Sequence, residues 1–213
     1  MNPLLSSSSR AMEVIRADRA LTVVRAPAVP DPVALAEALA GAGLRAVEFT
    51  FTTLGVLDAI AKARSAADAV IGVGTVTTRD QAAAAVDVGA QFLVTPAVRP
   101  EVAEVAVTNQ IPVIMGAFTP TEVLAAVDLG AAAVKIFPAR SLGPAYLKDL
   151  LGPFPHVFLI PSGGVNAHNA REYLQAGAIA VTAGTEVVAP LDVASSRWSE
   201  IGSRAARFVH SLD

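Results

Sequence analysis

The 213-residue chain has no cysteine, which excludes a disulfide framework and thiol chemistry but selects no compartment. It has only three histidines, His156, His168 and His210. None has a partner at a metal-ligand spacing, so structural or surface roles are the better reading of each. Charge is scarce, at 16% of residues and a net −3, without the basic stripe that a nucleic-acid partner leaves. No apolar run approaches the roughly 18–20 residues that span a bilayer. The opening MNPLLSSSSR lacks the basic and apolar regions of a signal peptide. Residues 1–9 therefore read as a flexible lead-in to one domain, 10–213, and a soluble cytoplasmic protein is expected.

What the chain has in abundance is apolar side chains, 53% of residues, enough for a large core. Short β-branched runs alternate with Ala-rich stretches of helical period. The expected strands are 21–25, 46–51, 70–76, 91–96, 111–117, 133–138, 157–164 and 178–184. Helix starts are signalled at Asp31–Pro32, Thr78, Thr119–Glu122 and Asn166. The stretch SRAMEVIRADRA (9–20) reads as a helix closing the bottom of a barrel, and Trp198 and Phe208 read as docking the last helix. Strands this apolar are buried on both faces, as parallel strands are. Eight β-α units in about 190 residues predict a (β/α)8 TIM barrel. The competing architecture, a doubly wound open sheet, usually has fewer strands and often a Gly-rich first turn, whereas strand one here ends VVRAPAVP.

Four helices end in glycine just before a strand, at Gly43, Gly89, Gly130 and Gly177, each a candidate left-handed helix stop. Counting five residues on from each gives Glu48, Val94, Lys135 and Thr182, in strands two, four, six and eight. Alternate strands of such a barrel share an interior layer, so Glu48 and Lys135 are expected to face each other. One reading is a structural buried ion pair. Buried pairs are weak devices for stability, however, and an apolar replacement often serves as well. The other reading is catalytic. Removing a lysine from water disfavours its ammonium form, and a free amine in a dry pocket attacks carbonyls to form a Schiff base. A neighbouring carboxylate then shuttles protons.

Further candidates lie at strand ends on the same face. Arg25 ends strand one, where a forked donor suits a carboxylate, though a surface salt bridge is the commoner use. Thr75 ends strand three and is equally well an ordinary strand threonine. PSGGV (161–165) and AGT (183–185) follow strands seven and eight, where these barrels hold phosphate. Each glycine run alone is an ordinary tight turn; the two on adjacent strands favour an anion cradle.

With VEFTFTT, GVGTV, FLVTPAV, FTPTE, VKIFPA, LGPAYLK and GPFPHVFLIPSGGVN in order, residues 21–209 resemble the family of 2-keto-3-deoxy-6-phosphogluconate (KDPG) and 4-hydroxy-2-oxoglutarate (KHG) aldolases. The resemblance implies a class I aldolase with no metal and no cofactor beyond the covalent Schiff base. It implies that Lys135 is the Schiff-base lysine and Glu48 the general acid/base. Arg25 and Thr75 would hold the substrate carboxylate, and Pro96 and Phe137 would line the pyruvate pocket. Ser162, Gly163, Gly164, Gly184 and Thr185 would receive the phosphate. The expected partners are a 2-keto acid, pyruvate and an aldehyde, with no nucleic acid or membrane, in a homotrimer. The expected reaction is cleavage of KDPG to pyruvate and glyceraldehyde 3-phosphate. Alternatives are KHG or the phosphogalactonate epimer as substrate, or an inactive or engineered barrel serving as an assembly subunit. The chain departs from the family pattern at Thr52, Met115, Arg140, Ser162, Thr182 and Glu186. Thr52, Met115, Arg140 and Thr182 are expected to tune substrate choice, whereas Ser162 keeps the family's hydroxyl. Glu186 would repel a phosphate if its carboxylate pointed inward.

Overall fold

A computed structural model describes residues 9–213, so all of the expected lead-in except Ser9 lies outside the described residues. Helix α1 (Arg10–Asp18) leads into β1 (Ala20–Val24), α2 (Pro32–Gly41), β2 (Ala46–Thr50), α3 (Val56–Ala63) and β3 (Val70–Gly74). The alternation continues through α4 (Arg79–Asp87), β4 (Leu93–Val94), α5 (Pro100–Thr108), β5 (Val113–Ala117), α6 (Pro120–Asp128) and β6 (Ala133–Ile136). It ends with α7 (Gly143–Leu151), β7 (Leu159–Pro161), α8 (Ala170–Gln175), β8 (Val181–Ala183), α9 (Pro190–Ala194) and α10 (Trp198–His210). All neighbouring strands are parallel, in the order β7-β6-β5-β4-β3-β2-β1-β8. Two hydrogen bonds join the ends of that order: Ile179 N–H to the Leu159 carbonyl at 3.0 Å and the Thr182 hydroxyl to the Pro161 carbonyl at 3.1 Å. The result is the expected (β/α)8 barrel.

Capping chemistry explains where several helices begin. Asp31 accepts from Ala34 N–H, Thr78 from Gln81 N–H, and Thr119 forms a reciprocal capping box with Glu122. Such a cap is worth about 1 kcal/mol. The start expected at Asn166 lies instead in a turn before α8. Asn169 accepts Asn166 N–H at 2.8 Å, Asn166 accepts His168 N–H at 2.9 Å, and the helix begins after Asn169. Gly43, Gly89, Gly130 and Gly177 all adopt the left-handed conformation, which ends each preceding helix and sets the register of the next strand.

Several strands are shorter than their apolar runs. Strand β3 stops at Gly74 because Thr75 turns left-handed, with φ of 58°. Beyond β4, Thr95 N–H keeps one ladder bond to the Ile114 carbonyl at 3.0 Å, while its hydroxyl donates to the Ala97 carbonyl at 2.7 Å and accepts Gly116 N–H at 3.1 Å, ending the regular ladder.

Alternation along each strand splits the core into two clusters. Val47, Phe49, Val134 and Ile136 face the surrounding helices, while Leu21, Ala46, Phe92, Ile114 and Ile160 face the barrel axis. Met12 and Ile15 of α1 are fully buried in the axial cluster, so α1 plugs the barrel bottom as expected. Burying each is worth about 1.5–3 kcal/mol. At the C-terminus Phe208 is buried and Trp198 packs against the core. Asp192 accepts from Arg204 at 2.5 Å and from Arg197 at 3.0 Å, and Arg204 also donates to the Val187 carbonyl, which ties α10 to the loop after β8. Among the described residues, no helix is long and apolar enough to cross a membrane.

Candidate active site

Glu48 is the middle residue of β2 and Lys135 the third of four in β6, and their chain neighbours pack outward against the helices. Both side chains must then point along the barrel axis. Lys135 Nζ lies 3.8 Å from Glu48 Oε1, and the two residues are 5% and 0% exposed. The contact is an ion pair too long for a direct hydrogen bond. Neither Glu48 oxygen has a hydrogen-bond partner among the described residues. Burial pushes the Glu48 carboxyl above the ordinary carboxylate range, opposed by the charges of Lys135 and then Arg25. A β-carbon built on Gly74, the residue across the ladder from Thr50, would overlap the Glu48 carboxylate. The absent side chain at Gly74 is the space that Glu48 occupies.

Above this pair a cavity of about 580 Å³ opens at the C-terminal ends of the strands. It collects Arg25, Thr75, Pro96 and Phe137 with Ser162, Gly163, Gly164, Gly184 and Thr185 around its rim, and has Lys135 and Glu48 at its floor. Arg25 donates to Thr75 at 3.4 Å and to Thr52 at 3.5 Å. The Thr52 and Thr50 hydroxyls lie 2.7 Å apart, and Thr50 donates to the Val24 carbonyl at 3.3 Å. Arg25 is therefore held by Thr75 and by Thr52, with Thr50 behind Thr52; of the three, only Thr50 was not singled out in the sequence. Thr75 keeps its hydroxyl toward Arg25 at the cost of left-handed backbone, about 1–3 kcal/mol for a β-branched residue. Gly116 lets the Pro96 carbonyl lie against strand β5, since any β-carbon there would collide with it. The Phe137 ring lies 5.9 Å from Lys135 Nζ and covers Gly163.

In the loop after β7 Gly163 and Gly164 are both left-handed, with φ of 83° and 92°. The Gly163 carbonyl accepts Arg140 N–H at 2.9 Å, and the Arg140 side chain crosses the face of Gly164. Arg140 faces the cavity, as do Thr182 and Glu186. Met115 does not. It is fully buried among outward-facing residues between the sheet and the helices, because its neighbours Ile114 and Gly116 take the inward positions. The expectation that Met115 tunes substrate choice is thus corrected by one residue of strand alternation. His156 and His168 lie in exposed turns, and His210 ends α10. Among the described residues, no group of three or more His, Cys, Asp or Glu could hold a metal ion. A second hollow of about 610 Å³ beside the β2–α3 loop holds Asp58 as its one ionisable residue and lacks the means for this chemistry.

The arrangement has an amine beside a buried carboxyl, and further cations, Arg25 and Arg140, lining the cavity. It suits a carbonyl compound carrying anionic groups on either side. The "2-dehydro-3-deoxy-phosphogluconate aldolase" of Treponema pallidum is 36% identical over 191 residues, covering 89% of this chain and 91% of its own. The protein of the same name from Haemophilus influenzae is 33% identical over 198 residues, covering 92% and 93%. Among solved structures, KDPG aldolase from Legionella pneumophila, with pyruvate captured at low pH as a covalent carbinolamine intermediate, superposes with a TM-score of 0.82 at 28% identity, covering 97% of each chain. The sequence model of the family described as KDPG and KHG aldolase matches residues 11–203, and the chain belongs to that family of aldehyde lyases.

Proposed function

We propose that this chain is a class I aldolase that reversibly cleaves KDPG to pyruvate and glyceraldehyde 3-phosphate through a Schiff base on Lys135. The observation that carries the reading is the buried Lys135–Glu48 pair at the cavity floor. Lys135 Nζ attacks the C2 keto carbon. Glu48 supplies and removes the protons that turn the carbinolamine into the imine, directly or through a water. A carboxyl raised by burial holds a proton more readily and so serves as the acid in that step. The protonated imine withdraws electrons from the C3–C4 bond while Glu48 takes the C4 hydroxyl proton. Cleavage releases the aldehyde and leaves the enamine of pyruvate, which is protonated at C3 and hydrolysed. Arg25 and Thr75 hold the C1 carboxylate, and Pro96 and Phe137 flank the pyruvyl carbon chain. The phosphate lies toward Ser162, Gly163, Gly164, Gly184 and Thr185. The reading needs no metal and no cofactor.

The family likeness makes a homotrimer the working assembly of this reading.

Incubation with pyruvate and borohydride is expected to leave a reduced adduct on Lys135, read by peptide mass. K135A is expected to lose both the adduct and the release of pyruvate from KDPG. An unlabelled Lys135, with K135A still turning over KDPG, sinks the mechanism.

A further inference from the structure

We propose that Glu186 sets the selectivity of the distal end of this cavity by acting as a built-in competitor for a phosphate. The proposal rests on the aldolase reading above. Glu186 directly follows Thr185 on the loop after β8, and its Oε2 accepts the backbone N–H of Ala167 at 3.2 Å. Ala167 lies three residues beyond Gly164, so this bond spans the two loops that form the distal wall. The cations facing the cavity are Arg25, Lys135 and Arg140. Arg25, beyond β1, is engaged by Thr52 and Thr75, and Lys135 sits at the floor. Arg140 is the remaining one, set against Gly164 beside Gly163 and Gly164.

A phosphate arriving at this wall meets one cation and one carboxylate. Attraction to Arg140 is offset by repulsion from Glu186, which a dianion feels twice as strongly as a monoanion. The Ala167 N–H is open to the phosphate only once Glu186 has released it. A substrate ending in a neutral hydroxyl meets neither obstacle. Glu186 therefore narrows the advantage that two glycine-rich loops and an arginine would otherwise give to a phosphorylated 2-keto acid. The carboxylate is exposed, so the effect is that of a solvent-screened charge at close range, about tenfold in relative affinity.

The experiment compares kcat/KM for pyruvate release from KDPG and from unphosphorylated 2-keto-3-deoxygluconate, in the wild type, E186Q, E186A and R140A. E186Q keeps an acceptor for Ala167 but removes the charge, and is expected to raise the phosphorylated-to-unphosphorylated ratio about tenfold. E186A also frees the N–H and is expected to raise it at least as far. R140A is expected to lower it. Competitive inhibition by glycerol 3-phosphate gives the same readout without turnover, with the inhibition constant falling about tenfold in E186Q. An unchanged or lower ratio, with unchanged glycerol 3-phosphate inhibition in both Glu186 variants, overturns the proposal. Borohydride trapping of pyruvate on the wild type separates the two failures. Labelled Lys135 with an unmoved ratio refutes only the role of Glu186, whereas no labelling refutes the aldolase reading on which it stands.

Discussion

Replacing Gly74 by alanine adds one methyl group at the place where the Glu48 carboxylate lies. The backbone at Gly74 is ordinary strand, so alanine is conformationally acceptable there and the collision is the whole effect. To reach normal contact the carboxylate would have to retreat by about 1.8 Å. Glu48 is fully buried, so it has no solvent to retreat into, and the barrel interior resists expansion. Overpacking of this kind costs about 1–3 kcal/mol, which a domain of this size tolerates. The catalytic loss should be far larger than the loss of stability. A misplacement of about 1 Å can cost 10²-fold, and removal of a general acid/base costs about 10²–10⁴-fold. We therefore expect kcat for pyruvate release from KDPG to fall by at least about 100-fold in G74A, with a cooperative urea transition retained. E48D, which draws the carboxylate back by one carbon–carbon bond of about 1.5 Å without adding an atom, should show a loss of the same order. Gly41, at the end of α2, has open space around its missing β-carbon, so G41A serves as a control and should keep wild-type kcat. A folded G74A with wild-type kcat, together with an active E48D, would refute the placement of Glu48 as the acid/base.

T52V removes the hydroxyl that links Arg25 to Thr50, and should raise KM for KDPG several-fold, roughly 3–10-fold as for loss of about one hydrogen bond, with kcat little changed; a kcat defect without a KM change would contradict a positioning role. Because burial raises the Glu48 carboxyl, its contribution to stability is full below the ordinary carboxylate range and is lost as pH rises toward its raised value in the folded protein. Urea denaturation across pH should then show the wild type losing stability relative to E48Q as pH rises, by up to about 1.4 kcal/mol per pH unit; parallel pH curves for the two proteins would show that Glu48 does not titrate abnormally. M12A opens a cavity in the barrel plug and should cost about 2–5 kcal/mol in urea denaturation, while the folded fraction keeps its kcat because α1 lies at the opposite end of the barrel from the cavity.

The barrel and the facing pair were legible for one physical reason, the repeat of a left-handed glycine followed by a strand of alternating faces. Once Gly43 and Gly130 fixed the start of each strand, the position of Glu48 and Lys135 on the axial face followed from period-two alternation. The same arithmetic could have removed Met115, which stands one residue before the inward Gly116; reading it from its departure from the family pattern, instead of from its parity, put it in the wrong layer. Strand ends were less legible, because they depend on which group replaces the ladder. The Thr95 hydroxyl beyond β4 and the turn of Thr75 after β3 are tertiary choices that apolar runs do not encode. The support of Arg25 was only partly legible: Thr52 stood out as a departure from the family pattern, but its bond to Arg25, 27 residues away, and the backing of Thr50 look ordinary on a strand end. Gly74 shows the limit most clearly. In GVGTV it reads as part of a motif, yet its meaning lies in a side chain on the neighbouring strand, since only a residue without a β-carbon leaves the volume that a buried carboxylate needs to lie within reach of Lys135.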